Sequence, residues 1–180
     1  MTSYIALLRG VNVGGHRKVA MSDLRELMDQ LGFVGARSLL QSGNLVFRGG
    51  ARTSGALERL LEAESKKRLD LQTEYFVRTA AEWASVIARN PFREAAKRDP
   101  AHLVVMFAKS APSEAGVKAL QAAISGPETV RAKDRHIYIV YPAGIGRSLL
   151  TTTLLEKRLA TRLTGRNWNT ILKLAGVAAV

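Results

Sequence analysis

The sequence contains no cysteine, which excludes a disulfide framework, a thiolate metal site and a cysteine nucleophile. No apolar run approaches the roughly 20 residues that a membrane-spanning helix needs. No Gly-x-Ser-x-Gly elbow and no His-Glu-x-x-His pair occur. The three histidines, His16, His102 and His136, stand apart from one another. The start, Met1-Thr2-Ser3, lacks the basic opening and apolar stretch of a signal peptide. Acidic residues are scarce, with 15 Asp and Glu against 27 Lys and Arg, giving a net charge of +12. These absences lead to the expectation of a cytoplasmic protein with no membrane association, no metal and no cofactor. They assign no catalytic residue and leave the oligomeric state open.

What is present is an ordinary globular composition, 47% hydrophobic and 23% charged over 180 residues, enough for one large domain or two small ones. The positive charge raises the question of an anionic partner, a small molecule or a nucleic acid. Yet Arg25, Arg59, Lys66, Arg89, Lys118 and Lys157 scatter over helix faces instead of forming a stripe. The 18 arginines against 9 lysines, with abundant alanine, equally fit a GC-rich coding sequence. Charge alone does not identify the partner.

The order of elements is more informative. Tyr4 to Arg9 reads as a strand covered on both faces. Ser22 is the expected cap of a helix carrying Leu24, Leu27, Met28 and Leu31, closed by Gly32. Two short strands from Arg37 to Phe47 turn at Ser42-Gly43-Asn44. Ser54 is expected to cap a second helix with Leu57, Leu60 and Leu61. A strand follows from Gln72 to Arg78, and Thr79-Ala-Ala-Glu82 is a capping box opening a third helix. The second half runs the same way. It has a strand at His102–Ala108, a helix capped by Ser113, and a hairpin around Asp134-Arg135. A leucine-spaced helix at 149–159 follows, then a short strand or helix extension at 160–165, then a terminal helix. Thr79-x-x-Glu82-Trp83-x-x-Val86-Ile87 also resembles Thr164-x-x-Asn167-Trp168-x-x-Ile171-Leu172, 85 positions later. The expected fold is therefore α+β. It consists of two tandem ferredoxin-like β-α-β-β-α-β(-α) repeats with antiparallel or mixed sheets, at residues 1–92 and 101–180. The polar stretch 93–100 is the expected junction.

Setting the repeats side by side isolates one loop. Repeat one spends Gly10 to Met21 between its first strand and helix, whereas repeat two spends only Lys109 to Pro112. The surplus is glycine-rich and basic, Gly10-Val-Asn-Val-Gly14-Gly15-His16-Arg17-Lys18. It matches neither the Gly-x-Gly-x-x-Gly dinucleotide turn nor a P-loop, because His16-Arg17 stands where the lysine and hydroxyl should follow. What remains is a generic anion cradle of glycine N–H groups with Arg9, Arg17 and Lys18, or else a plain turn with solvated cations. A second candidate is Pro142 to Ser148, with Ser148 as a helix cap and Arg147 beside the helix start. The opening loop is expected near Gly49-Gly50-Ala-Arg52, and Gln41 to Asn44 at the opposite end of the sheet.

The segments Ala6-Leu-Leu-Arg-Gly-Val-Asn-Val-Gly-Gly15, Gln41-Ser-Gly-Asn-Leu-Val-Phe47, Gly146-Arg-Ser148 and Arg166-Asn-Trp-Asn-Thr170 together resemble the bacterial domain of unknown function 1697. The resemblance runs over essentially the whole chain and implies a duplicated α+β fold with no established activity. The motif positions it marks are Arg9, Gly10, Asn12, Gly14, Gly15, Lys18, Gln41, Ser42, Asn44, Arg147, Ser148, Arg166 and Asn167. Two positions depart from the pattern: Ala20 stands for a proline, and Gly165 for a threonine, which frees the backbone there. The marked set holds no acid and no imidazole, so it suits anions and amides better than acid–base chemistry. The expected function is binding of a phosphate-bearing ligand, a nucleotide or nucleic acid. The alternatives are an enzyme using arginine and backbone N–H groups for phosphoryl or acyl transfer, or a protein-interaction module.

Overall fold

Seven residues, Thr2–Leu8, make the first strand (β1), and its run Ile5-Ala-Leu-Leu8 is apolar on both faces and fully buried. A strand apolar on both sides belongs to a sheet covered on both faces, whereas an antiparallel sheet with one wet face would alternate. The computed structural model describes residues 1–179. The chain is α+β, with two four-stranded sheets in which every neighbouring pair is antiparallel, so neither sheet is mixed. It divides into two units, Met1–Ser85 with the stretch from Lys173, and Val86–Leu172. Residues 93–100 thus fall inside the second unit. Among the described residues, no helix is long and apolar enough to cross a membrane.

In the first unit β1 is followed by α1 (Met21–Gln30), β2 (Val34–Ser38), β3 (Asn44–Gly49), α2 (Ser54–Leu69), β4 (Tyr75–Thr79) and the start of α3 (Ala80–Ala88). The sheet order is β2-β3-β1-β4. Leu24, Leu27 and Met28 of α1 and Leu57 and Leu61 of α2 pack on Tyr4, Ala6, Leu8, Leu45, Phe47, Tyr75 and Val77. Burying each large side chain is worth about 1.5–3 kcal/mol. The capping box at α3 forms as its sequence predicts: Thr79 N–H donates to Glu82 Oε2 at 2.7 Å, and Glu82 N–H donates to Thr79 Oγ1 at 3.1 Å.

The edge strand β4 is not left open. Glu62 Oε1 accepts from Tyr75 N–H and Glu58 Oε1 from Val77 N–H, each at 2.9 Å. Two carboxylates on α2 thereby occupy donors that would otherwise template a further strand. Glu58 also faces the fully buried Arg78 guanidinium at 3.6 Å.

The second unit holds the end of α3, then α4 (Arg93–Arg98), β5 (Leu103–Ala108), α5 (Glu114–Ala123), β6 (Thr129–Lys133), β7 (His136–Val140), α6 (Thr152–Leu159), β8 (Leu163–Asn167) and the start of α7 (Trp168–Ala178). Its sheet order, β6-β7-β5-β8, corresponds strand for strand to the first. Its core gathers Val104, Met106, Val117, Leu120, Ile137, Ile139, Leu155 and Leu163. Leu163 N–H donates to Glu156 Oε1 at 2.9 Å, the same edge device as at Tyr75.

Several local expectations change. The caps of α2 and α6 are Thr53 and Thr151, not Ser54 and Ser148, and Ser113 caps α5 as expected. Ser148 instead follows a short 3-10 turn at Ile145–Arg147. Helix α1 has Ala20 at its N-cap and no side-chain cap, so Ser22 already lies inside the helix. The helical stretch ends at Leu159, and the segment after it becomes strand β8. The 85-residue spacing does not mark equivalent positions. Thr79 and Asn167 are each the last residue of their strand, and each accepts from the backbone N–H three residues on. The partner of Thr79 is therefore Asn167, so Trp83 corresponds to Ile171 rather than to Trp168. Both tryptophans are buried.

Candidate functional site

Because β1 and β3 are antiparallel, the chain leaves β1 at the end where β3 begins. The loop at 9–20 therefore lies beside Gln41 to Asn44, and not beside Gly49 to Arg52 as the sequence reading expected. Leu8 N–H donates to Gly43 O at 2.8 Å. Gly43 sits at φ +79, and a Cβ there would come within 2.6 Å of Val11 Cγ2 and 2.8 Å of Leu8 Cβ. A glycine is thus required twice over, by conformation and by the approach of the loop. The other end of β1 receives the segment after β3: Tyr4 Oη accepts from Arg52 N–H at 2.9 Å and lies 3.1 Å from Gly50 O.

The loop itself is ordered by its own chemistry. Val13 to His16 close a tight turn, with His16 N–H donating to Val13 O at 3.1 Å and Asn12 N–H to Arg17 O at 3.2 Å. Gly14 and Gly15 have φ of +59 and +77, the pair of positive values a primed hairpin turn needs. Gly10 and Asn12 are left-handed too. Asn12 spends its whole side chain on the fold. Its Nδ2 donates to Val19 O (2.9 Å) and Gln41 O (2.7 Å), and its Oδ1 accepts from Val19 N–H (2.9 Å). One amide thereby ties both ends of the loop to the hairpin. Asn44 is likewise buried and committed, donating to Leu39 O at 2.8 Å and to Ser42 Oγ at 3.1 Å. Arg9 lies 3.5 Å from Glu74, and its carbonyl accepts from Thr73 Oγ1 at 2.8 Å.

These constraints leave a cleft of about 540 Å³. Four of the sequence-marked residues, Asn12, Gly15, Lys18 and Gln41, line it, together with Ala20 and Asp23 at the start of α1. Asp23 is not among the sequence-marked residues. Its place in the first helical turn directly after the loop was the available signal.

Four marked residues, Arg147, Ser148, Arg166 and Asn167, belong to the second unit. Arg147 lines a separate groove against α5 and α6. Ser148 Oγ donates to Glu128 Oε1 at 2.5 Å and accepts from Leu150 N–H at 3.0 Å. Arg166 lies on β8, where Nη1 donates to Gly165 O (2.8 Å) and Thr164 Oγ1 (3.0 Å), and burial pushes its pKa down to about 10. Asn167 caps the following helix through Thr170 N–H. Gly165 does not free the backbone as its replacement of threonine suggested. It pairs with Met106 in the ladder, and a Cβ there would lie 2.7 Å from Met106 Sδ.

A family model described as "Protein of unknown function (DUF1697)" matches residues 1–138. The chain belongs to this family. The match includes every marked residue of the 9–20 loop and the 41–44 turn, while the segments at 146–148 and 166–170 lie past it. Among solved structures the chain is similar to the conserved bacterial protein SP0830 from Streptococcus pneumoniae, at 22% identity over 98% of each chain with a TM-score of 0.75. At that identity the likeness is one of fold. No curated protein matches the chain.

Proposed function

We propose that this member of the family binds a phosphate-bearing small molecule, such as a nucleotide, in the cleft beside the 9–20 loop. The observation that carries the reading is the convergence of Asn12, Gly15, Lys18 and Gln41 on one cleft at a helix start that no side chain caps. Such a helix start presents N–H groups and positive potential to an anion, and Lys18 adds a full charge. Asp23 on the same wall asks the ligand for a donor as well, such as a sugar hydroxyl. Asn12 and Asn44 are frame rather than contact, because their amides are already engaged.

The reading rests on a duplicated architecture, two tandem ferredoxin-like units of which only the first carries the long loop. The corresponding strand orders and the shared carboxylate at each edge strand support that duplication. The test is calorimetric titration with ATP and with inorganic pyrophosphate at two salt concentrations. Binding should weaken with salt, and Lys18→Ala should weaken it by roughly tenfold. Binding indifferent to both changes would remove the assignment.

A further inference from the structure

The second unit carries a groove of about 280 Å³ that the proposed phosphate site does not use. Leu120 of α5, Ile124 just past its end, Leu150 and Leu154 line it. Arg147 and Arg158 also line it, and both are exposed. Among the described residues neither guanidinium makes a hydrogen bond or ion pair. The one carboxylate lining the groove, Glu128, is already held by Ser148 Oγ. The groove is therefore largely apolar in its lining, carries two cations against one carboxylate, and is supplied with two uncommitted planar donors.

We infer that this groove binds a linear aliphatic monocarboxylate, with its tail along Leu120, Ile124, Leu150 and Leu154 and its headgroup between Arg147 and Arg158. Pockets for small ligands are mostly apolar with a few placed polar groups, and this one follows that pattern. Burial of the chain supplies the driving force in proportion to apolar area. A carboxylate headgroup suits the two arginines because guanidinium groups form charge-assisted, paired hydrogen bonds with it, and its single charge matches the excess of two cations over Glu128. A neutral alcohol of the same length offers nothing that distinguishes it from water at the two arginines. A short carboxylate such as acetate leaves the apolar walls wet. Leu149, also in the lining and 84% exposed, adds apolar surface over which a longer chain can run.

The experiment is a nuclear magnetic resonance titration of the full, isotope-labelled chain with sodium decanoate, kept below its micelle concentration. Saturable shifts centred on the amides of Leu120, Ile124 and Leu154 are expected, with those of the 9–20 loop unmoved. Arg147→Gln with Arg158→Gln should weaken decanoate binding by roughly tenfold or more. Both side chains are exposed, so the melting temperature of this variant should match the parent's. Decanol and acetate should each bind more weakly than decanoate. The inference fails if no saturable shifts occur, if the double variant binds decanoate as tightly as the parent, or if acetate or decanol binds as well. Because the probe, the residues and the unit all differ from those of the phosphate test, either proposal can fail alone.

Discussion

The first connection of the first unit, residues 9–20, and that of the second, residues 109–113, link corresponding strands to corresponding helices, yet the first is more than twice as long and lines a cleft. Both begin alike. Arg9 N–H donates to Glu74 O and Lys109 N–H to Arg162 O, while Leu8 and Ala108 N–H donate to Gly43 and Arg135 O. Thr73 and Thr161 serve the two connections in turn, one donating to Arg9 O and the other accepting from Ser110 N–H. After that the chains diverge. The short connection passes straight into a helix capped by Ser113, and its hairpin carries Arg135. The long one folds into a turn of its own, and its hairpin must carry Gly43 because Val11 has taken the space. The added loop is therefore built into the sheet end rather than appended to it. Its helix start is left without a side-chain cap, where α2, α5 and α6 each have one. Extra chain, extra packing and a missing cap coincide at one place, and that coincidence distinguishes a built cleft from a tolerated insertion.

The coupling between loop and hairpin can be broken directly. Gly43→Ala should destabilise the protein by about 3 kcal/mol, from overpacking against Val11 and Leu8 together with left-handed strain. In a variant carrying Lys-Ser-Ala-Pro-Ser in place of residues 9–20, the same substitution should cost at least about 1 kcal/mol less. Denaturant unfolding of the four proteins measures the difference, and equal costs would show that loop and hairpin are independent. Asn12→Ala should cost about 1 kcal/mol, because it removes the bonds that hold Val19 and Gln41 together, the two to Val19 half-buried and the one to Gln41 open to water. The corresponding change at the other connection, Ser110→Ala, should cost less by the same assay.

A smaller effect compares the cores. The Tyr75 hydroxyl pairs with Ser65 at 2.7 Å, and burial pushes its pKa up to about 12. A folded-state pKa above the unfolded value of 10.0 gives stability that is complete below pH 10 and lost as pH climbs from 10 toward 12. Tyr138, raised to about 12 by burial, contributes in the same window from the second unit. Tyr75→Phe should flatten part of the alkaline decline between pH 9 and 11, an outcome that unfolding free energies at the two pH values would reveal. A decline unchanged in Tyr75→Phe would assign it to the second unit.

Much of this fold was legible in the residues. The all-apolar Ile5 to Leu8 marked a central strand, the Thr79 to Glu82 box marked a helix start, and the order of elements marked two similar halves. What escaped was direction and equivalence. The residues of a strand do not say which neighbour it will meet or which way that neighbour runs, so the loop was expected at the wrong end of β3. The Thr-x-x-x-Trp match at 85 positions was a coincidence of residue type, and only the hydrogen bonds at Thr79 and Asn167 fix the equivalence. Alanine at a helix start carries no capping signal, so Ser22 drew the boundary inward. For the candidate site, four of the marked residues line the cleft while Asp23 was missed, and residue type did not separate their roles. Asn12 and Lys18 look alike as polar positions in a loop. Only the bonds to Val19 and Gln41 separate a clamp from a group free to meet a ligand.

The most direct test of the account is a titration of the isotope-labelled chain with inorganic pyrophosphate, following every backbone amide. Saturable shifts are expected at residues 12–23 and Gln41 and not at residues 109–113, with roughly tenfold more pyrophosphate needed to saturate them in Lys18→Ala. Shifts of similar size at both connections, or an unchanged response in Lys18→Ala, would contradict it.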